Sequence, residues 1–200
     1  MARMLITKGN HKLGTDGAVY CFNLPAVSTC APTKWCLEGK DGEPSCYALN
    51  GRFKWPNVKD AYEWRYEESL KSDFAGRVID EINKVTPQFF RWHVSGDFYN
   101  EEYIGKVEEI VIATPNVLHR TTTRRRDFAK AVLQLNSQPN MIIRESLDTV
   151  FRNPTLGLPF AAIDSIDIIN EMDATECKED CIPCEYSCWK EPVNMYFKEK

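Results

Sequence analysis

The central part of the chain alternates between short apolar segments and longer amphipathic ones. The segment QFFRWHVSG (88–96) is rich in aromatic and β-branched residues and stops at a glycine, which predicts a buried strand. Apolar residues at helical spacing across 100–115, with Asn100 as a capping residue and Pro115 beyond the end, predict a helix. The alternation continues with predicted strands at 116–123, 140–146 and 158–166 and a predicted helix at 126–137. The pattern is typical of βα units, which form parallel sheets.

Two further regions frame this alternating part. Residues 57–85 form a long amphipathic stretch that predicts one or two helices, and 193–197 suits a closing strand. The 200 residues contain no linker rich in Gly, Ser and Pro, and an eight-stranded barrel typically needs about 250 residues. We therefore predict one α/β domain over 1–200, a partial (βα) barrel-like parallel sheet of four to six strands. Cys-rich loops flank its βα units (57–170) in the regions 1–56 and 171–200.

Polar residues follow each predicted strand, where the carboxyl ends of parallel strands would meet and bind ligands. After the first of these strands, His93, Ser95 and Asp97 alternate toward a turn at Gly96. Period-two geometry predicts that the three side chains share one face, suited to a ligand amine or hydroxyl. An internal hydrogen-bond network is the equally open alternative.

After the next strand, Arg124, Arg125 and Arg126 form a basic loop. Guanidinium groups match phosphates and carboxylates, so an anionic ligand, a nucleic-acid backbone or an acidic partner is one interpretation. The alternative interpretation is that these arginines form ion pairs with the abundant Asp and Glu residues. Arg144, Glu145, Ser146 and Asp148 in the third strand and its loop are further candidates for the same pocket.

Composition limits the class of protein. Hydrophobic residues make up 43% and charged residues 27% of the chain, as in soluble globular proteins, and the net charge of −4 does not indicate a nucleic-acid binder. There is no run of 18 apolar residues and no signal-peptide pattern at the start, so we expect a cytoplasmic protein without membrane contact. In that reducing compartment, clustered cysteines are more often metal ligands or catalytic thiols than disulfides.

The carboxyl-terminal cysteines carry the strongest chemical signal. Cys177, Cys181, Cys184 and Cys188 have the spacing C-x3-C-x2-C-x3-C. Structural zinc sites usually divide into two separated C-x2-C pairs, whereas compact runs are typical of iron–sulfur clusters. We predict a closed [4Fe-4S] cluster here, with zinc as the alternative.

The amino-terminal cysteines are spaced more widely. Cys30, Cys36 and Cys46 have the spacing C-x5-C-x9-C in a loop rich in Gly, Pro and Asp. A loop of this composition needs a stabilising interaction to be ordered. Three thiols suit a second cluster with an open iron, or a metal site that another residue completes; in the alternative, only some of them bind metal. Cys21 lies in an apolar strand-like stretch and is predicted to be a buried small hydrophobe.

Several stretches resemble one family. LITKGNHKLG, FNLPAVSTCAPTKWC, CYALNGRF, RWHVSGDFYNEEYI and CEYSCW are similar, in that order, to phage-encoded gene-product-88-like proteins. This resemblance spans residues 5–189 and implies a virus-encoded protein working in a bacterial cytoplasm. The chain more remotely resembles the radical S-adenosylmethionine barrel, in which Cys46-Tyr47 and Gly96-Asp97 would take the cluster-loop and methionine-binding roles.

Two functions from different classes follow. The first is a viral iron–sulfur protein that transfers electrons to or from a host or phage component, with a radical enzyme using S-adenosylmethionine as its enzymatic branch. The second is a non-enzymatic, zinc-stabilised protein that binds nucleic acid or a host protein through the basic loop. Whether the protein is an enzyme stays open at this point.

Overall fold

A computed structural model describes residues 3–14, 16–39 and 42–198, which fold around one eight-stranded sheet. The strands are β1 Thr7–Lys8, β2 Val19–Phe22, β3 Phe89–Trp92, β4 Leu118–Thr123, β5 Met141–Leu147, β6 Phe160–Ile163, β7 Thr175–Glu176 and β8 Met195–Phe197. Their order is β1-β2-β3-β4-β5-β6-β8-β7, and every neighbouring pair is parallel except β1 with β2. The predicted α/β class is confirmed, and the open, mostly parallel sheet is consistent with the predicted partial (βα) barrel. The predicted strand count was too low, since β1 and β7 have two residues each and carry no readable period.

The predicted helices are also present. The amphipathic region 57–85 divides into two helices, and the predicted helix at 126–137 starts with a 3-10 turn, Arg126–Phe128. Asn100 caps its helix as expected, because its side chain accepts a hydrogen bond from the Tyr103 amide at 2.8 Å. The helices are α1 Lys34–Leu37, α2 Pro56–Leu70, α3 Phe74–Val85, α4 Glu101–Ala113, α5 Ala129–Asn136, α6 Ile168–Glu171 and α7 Ser187–Lys190. Within the described ranges, none of these helices has the length and apolar character needed to cross a bilayer.

Helices α3, α4 and α5 cover one face of the sheet, called here the helical face. Phe90 and Trp92 of β3 are fully buried there in one apolar cluster with residues of these helices. His119 of β4 lies in the same layer and accepts a hydrogen bond at Nδ1 from the Trp92 indole (3.2 Å). Its Nε2 lies 2.9 Å from the Thr114 hydroxyl, which itself donates to the Ile110 carbonyl. The ring is therefore a neutral tautomer with the proton on Nε2, and burial lowers its pKa to about 3.

The opposite face, called here the inner face, is covered by residues 177–190, the cysteine segment. Tyr186 stacks on Phe89 with ring centroids 4.4 Å apart, and Trp189 lies 5.6 Å from the same ring. Val19 and Cys21 of β2 belong to the same second apolar cluster, and Cys21 is buried as predicted. Parallel sheets need cover on both faces, and here the cysteine segment does what a second helical layer does in other α/β folds.

Candidate metal centre

The backbone of the cysteine segment curls back on itself. Glu179, Glu185 and Tyr186 adopt left-handed conformations, with φ of 57°, 52° and 59°. The Tyr186 amide donates to the Cys181 carbonyl at 3.1 Å, and the Cys181 amide donates to the Lys12 carbonyl at 3.0 Å. Each left-handed residue other than glycine costs roughly 1–2 kcal/mol. A segment that concentrates three of them must be stabilised by what it packs on or binds.

The four thiols of this segment are neighbours. Cys181 and Cys188 are buried, Cys177 is half-buried and Cys184 is exposed. Burial raises the pKa of Cys181 to about 12, and the negative charges of Cys188 and Cys184 act in the same direction. Within the described part of the chain, no three His, Cys, Asp or Glu side chains stand in an arrangement that could hold a metal ion. Binding a metal would therefore have to draw these thiols closer together.

Three arginines project from adjacent strands onto the inner face beneath this segment. Arg91 of β3 and Arg120 of β4 are register partners, and Arg144 of β5 pairs with Thr122, two positions beyond Arg120. We call the three the arginine row. Arg120 and Arg144 are 2% and 0% exposed, and Arg91 is half-buried. Among the residues that the structure describes, no carboxylate forms a salt bridge with any member of the row.

Two members of the row bind the cysteine segment directly. Arg144 donates to the carbonyls of Val193 (2.8 Å), Cys188 (2.9 Å) and Glu191 (2.7 Å). Arg120 donates from Nη1 to the Cys188 sulfur, and its guanidinium lies 4.7 Å from the centre of the Trp189 ring. The Nε atoms of Arg91 and Arg120 are buried without a hydrogen-bond partner in the described residues.

The electrostatics of the row indicate missing negative charge. Burial lowers the pKa of Arg144 to about 9, and the charge of Arg120 adds to that effect. The pKa of Arg120 is lowered by burial first and then by Arg91, while the thiolate of Cys188 acts to raise it. Buried cations are costly unless an anion compensates them. Four thiolates around a metal centre would supply that anion, so the donor types and the charge of their surroundings suit a thiolate-bound metal once the thiols are drawn together.

The amino-terminal cysteines form a second, separate group at the carboxyl edge of the sheet. The Cys46 amide donates to the Cys36 carbonyl at 3.3 Å, and Thr33 caps helix α1 at Cys36 while donating to Asp148 at 2.7 Å. Burial raises the pKa of Cys30 to about 12, with further contributions from Asp97 and from Cys46. In each group, the thiols whose charges influence a cysteine belong to that same group.

The strand predicted to continue through His93, Ser95 and Asp97 ends earlier than expected. Strand β3 ends at Trp92, and His93 has a φ of 56°, so the strand alternation does not reach these residues. The His93 Nε2 lies 2.9 Å from the Tyr103 hydroxyl on the helical face, and burial lowers its pKa to about 3. Asp97 instead faces the end of β4, where it accepts from the Arg124 amide at 2.9 Å. Burial raises the pKa of Asp97 to about 6. A ligand-binding role for this stretch stays a prediction.

The arginines of the basic loop are engaged in ion pairs. Arg124 pairs with the fully buried Asp148 at 3.1 Å, and Arg126 lies 3.5 Å from Glu145. Arg125 pairs with its neighbour Asp127 at 2.7 Å. These contacts fit the interpretation that the loop pairs with nearby carboxylates, and a role in binding an external anion stays a prediction.

Sequence reasoning did not assign Arg91 or Arg120 to any site, and it placed Arg144 only among general candidates. The available signal was an arginine inside each of three predicted strands, at 91, 120 and 144. A long charged side chain within a buried strand needs a partner, and that observation marks the inner face.

Comparison with known proteins identifies one family. Its sequence profile, described as Gene product 88, matches residues 4–168. The match covers the amino-terminal cysteines and strands β1 to β6, and it ends before Cys177. No curated protein and no solved structure matches the chain.

Proposed function

The chain belongs to the gene product 88 family, and we propose that it is a phage-encoded iron–sulfur protein. Cys177, Cys181, Cys184 and Cys188 would hold a [4Fe-4S] cluster that serves electron transfer in the cytoplasm of the infected bacterium. The observation that carries the proposal is the arginine row, which lies beneath these four thiols and has no carboxylate partner in the described part of the chain.

The charge balance supports a thiolate-bound centre. Burial raises the pKa of Cys177 and of Cys181, which disfavours their thiolate forms without metal and withholds that negative charge from the arginine row. Metal binding deprotonates cysteines, and a cluster bound by four thiolates has a net negative charge. The opposite charges of the row and the centre then stabilise each other in a buried, poorly screened environment.

The residues around the four thiols have recognisable roles. Arg120 donates to the Cys188 sulfur, Arg144 fixes the backbone around Cys188 and Glu191, and the rings of Tyr186 and Trp189 exclude water. When bound, the cluster would supply reversible one-electron chemistry. The chain's own contribution is to hold the sulfurs, orient them and keep the surroundings dry.

The amino-terminal group is proposed as a second metal site. Cys30, Cys36 and Cys46 supply three thiolates, which would leave one iron of a cluster without a protein ligand. Binding of S-adenosylmethionine at such an iron is the enzymatic branch of the proposal. A zinc ion with four thiolates would also satisfy the charge demand of the arginine row, so metal identity is the deciding measurement.

The test is metal analysis of protein purified without oxygen. We expect about four irons and four sulfides per chain, or about eight of each if both groups hold a cluster. Cys181→Ser combined with Cys184→Ser should remove the iron and sulfide of the cysteine segment and destabilise the fold, because metal binding is coupled to folding. Cys21→Ala is the matched control, since Cys21 is buried on β2 and belongs to neither group.

Two results would overturn the proposal. One zinc and no sulfide per chain would leave a metal-stabilised binding protein. Unchanged iron and sulfide in the double variant would show that the cluster lies elsewhere.

A further inference from the structure

We propose that the arginine row makes the centre in the cysteine segment an electron acceptor, by raising its reduction potential. The inference rests on the proposed iron–sulfur function and deepens it. It assigns Arg91, Arg120 and Arg144 to the regulation of electron affinity rather than to folding alone.

The geometry brings positive charge to the sulfurs from one side. The three guanidinium groups come from neighbouring strands of one sheet, and the register of β3, β4 and β5 holds them in a continuous row. Arg120 reaches the Cys188 sulfur directly, and Arg144 holds the Cys188 carbonyl at 2.9 Å. The thiols of Cys177, Cys181 and Cys188 are all close enough to influence the pKa of Arg120.

The row also has unused donors. The Nε atoms of Arg91 and Arg120 are buried and lack a partner among the described residues, although buried polar groups are normally hydrogen-bonded. Neither arginine has a carboxylate partner among those residues, whereas Arg124 and Arg126, which follow β4, are paired with Asp148 and Glu145. The row therefore has positive charge and donors available for an anion on the inner face.

Charge and hydrogen bonding act on the potential in the same direction. Reduction adds one negative charge to the centre, and nearby cations stabilise that form more than the oxidised form. A hydrogen bond to a ligating sulfur favours the reduced form as well. One electron would enter from a reduced flavin or iron–sulfur protein, and the row would compensate its charge without any bond in the chain being made or broken.

A raised reduction potential distinguishes electron transfer from S-adenosylmethionine chemistry at this site. Cleavage of S-adenosylmethionine needs a strong reductant and an iron without a protein ligand. A four-cysteine centre above three arginines meets neither demand. The cysteine segment therefore suits reversible electron transfer.

The test is a redox titration of the iron–sulfur protein, followed by electron paramagnetic resonance. Arg120→Gln should lower the ratio of reduced to oxidised centre at a fixed potential at least tenfold, which is a shift of 59 mV for one electron. Arg120→Lys retains the charge and should preserve most of the wild-type potential. Arg77→Gln removes a positive charge from helix α3, on the other face of the sheet, and should leave the potential unchanged.

The outcomes are distinguishable. A wild-type potential in Arg120→Gln with full iron and sulfide would overturn the inference and leave the proposed function standing. If Arg120→Gln loses its iron, Arg91→Gln tests the same point, because the Nε of Arg91 has no hydrogen-bond partner to lose among the described residues. A wild-type protein without sulfide would overturn the proposed function and this inference with it.

Discussion

The turn at Gly96 holds the loop of Cys30, Cys36 and Cys46 against the carboxyl edge of the sheet. Replacing this glycine should lower the free energy of unfolding. Gly96 has a φ of +87°, a conformation that residues with a side chain rarely adopt. Ser95 accepts from the Leu24 amide at 2.9 Å, and the Asp97 amide donates to the Thr29 hydroxyl at 3.4 Å. The loop that leads to Cys30 is thus held against this turn.

The size of the expected loss in the free energy of unfolding follows from the local geometry. In Gly96→Ala, the added Cβ would lie 2.5 Å from the Leu24 Cβ, 2.8 Å from the Thr29 hydroxyl and 3.0 Å from the Leu24 carbonyl. The backbone conformation costs roughly 1–2 kcal/mol for alanine. Overpacking in a buried setting adds about 1–3 kcal/mol. We therefore expect a total loss of about 2–5 kcal/mol in the free energy of unfolding.

Urea unfolding, followed by fluorescence and circular dichroism at equal metal content, measures this loss. Gly105→Ala is the matched control, because Gly105 lies inside helix α4 and its added Cβ would meet no atom of the described residues within 4 Å. That change should stabilise the protein by roughly 0.5–1 kcal/mol. If Gly96→Ala unfolded within about 0.5 kcal/mol of the wild type, the close approach at this turn would be refuted.

Two other predictions concern buried charge. Since the folded state holds the pKa of His119 near 3 and the unfolded chain has its ordinary value of 6.5, stability should fall as the pH drops below 6.5. Between pH 7 and pH 5, His119→Gln should lose about 2 kcal/mol less of its free energy of unfolding than the wild type, as measured by urea unfolding at each pH. The same pH dependence in both proteins would contradict the neutral tautomer. Arg124→Glu leaves the buried Asp148 unpaired and should cost about 3–5 kcal/mol of unfolding free energy. Arg125→Glu breaks an ion pair with the exposed Asp127 and should cost about 1 kcal/mol or less of unfolding free energy. Equal losses in the two variants would refute the difference between the buried and the exposed ion pair.

Local signals predicted most of the fold. Helix α4 is recognisable because its cap at Asn100 and its apolar spacing lie within one short stretch. Strands β3, β4 and β5 are recognisable because they combine aromatic, aliphatic and β-branched residues in short segments between predicted helices. Strands β1 and β7 could not be predicted, because two residues carry no periodicity and their pairing depends on distant partners.

The candidate site was predictable only in part, for the same reason. The spacing of Cys177 to Cys188 is a local signal and can be read directly from the sequence. The arginine row depends on the register of three strands, which sequence spacing does not contain. The error at His93 has a different cause, since a single residue with positive φ after Trp92 ends the alternation on which the prediction relied.

The cover of the inner face has a consequence for how the protein is made. Ribosomes synthesise strands β1 to β6 and the helices of the helical face before the cysteine segment. Until that segment docks, Phe89, Val19 and the arginine row are open to water and to other nascent chains. The late-synthesised segment then closes the sheet and brings in the cysteine ligands together. A translation complex stalled before Cys177 should therefore present an incomplete fold to the chaperones of the cell.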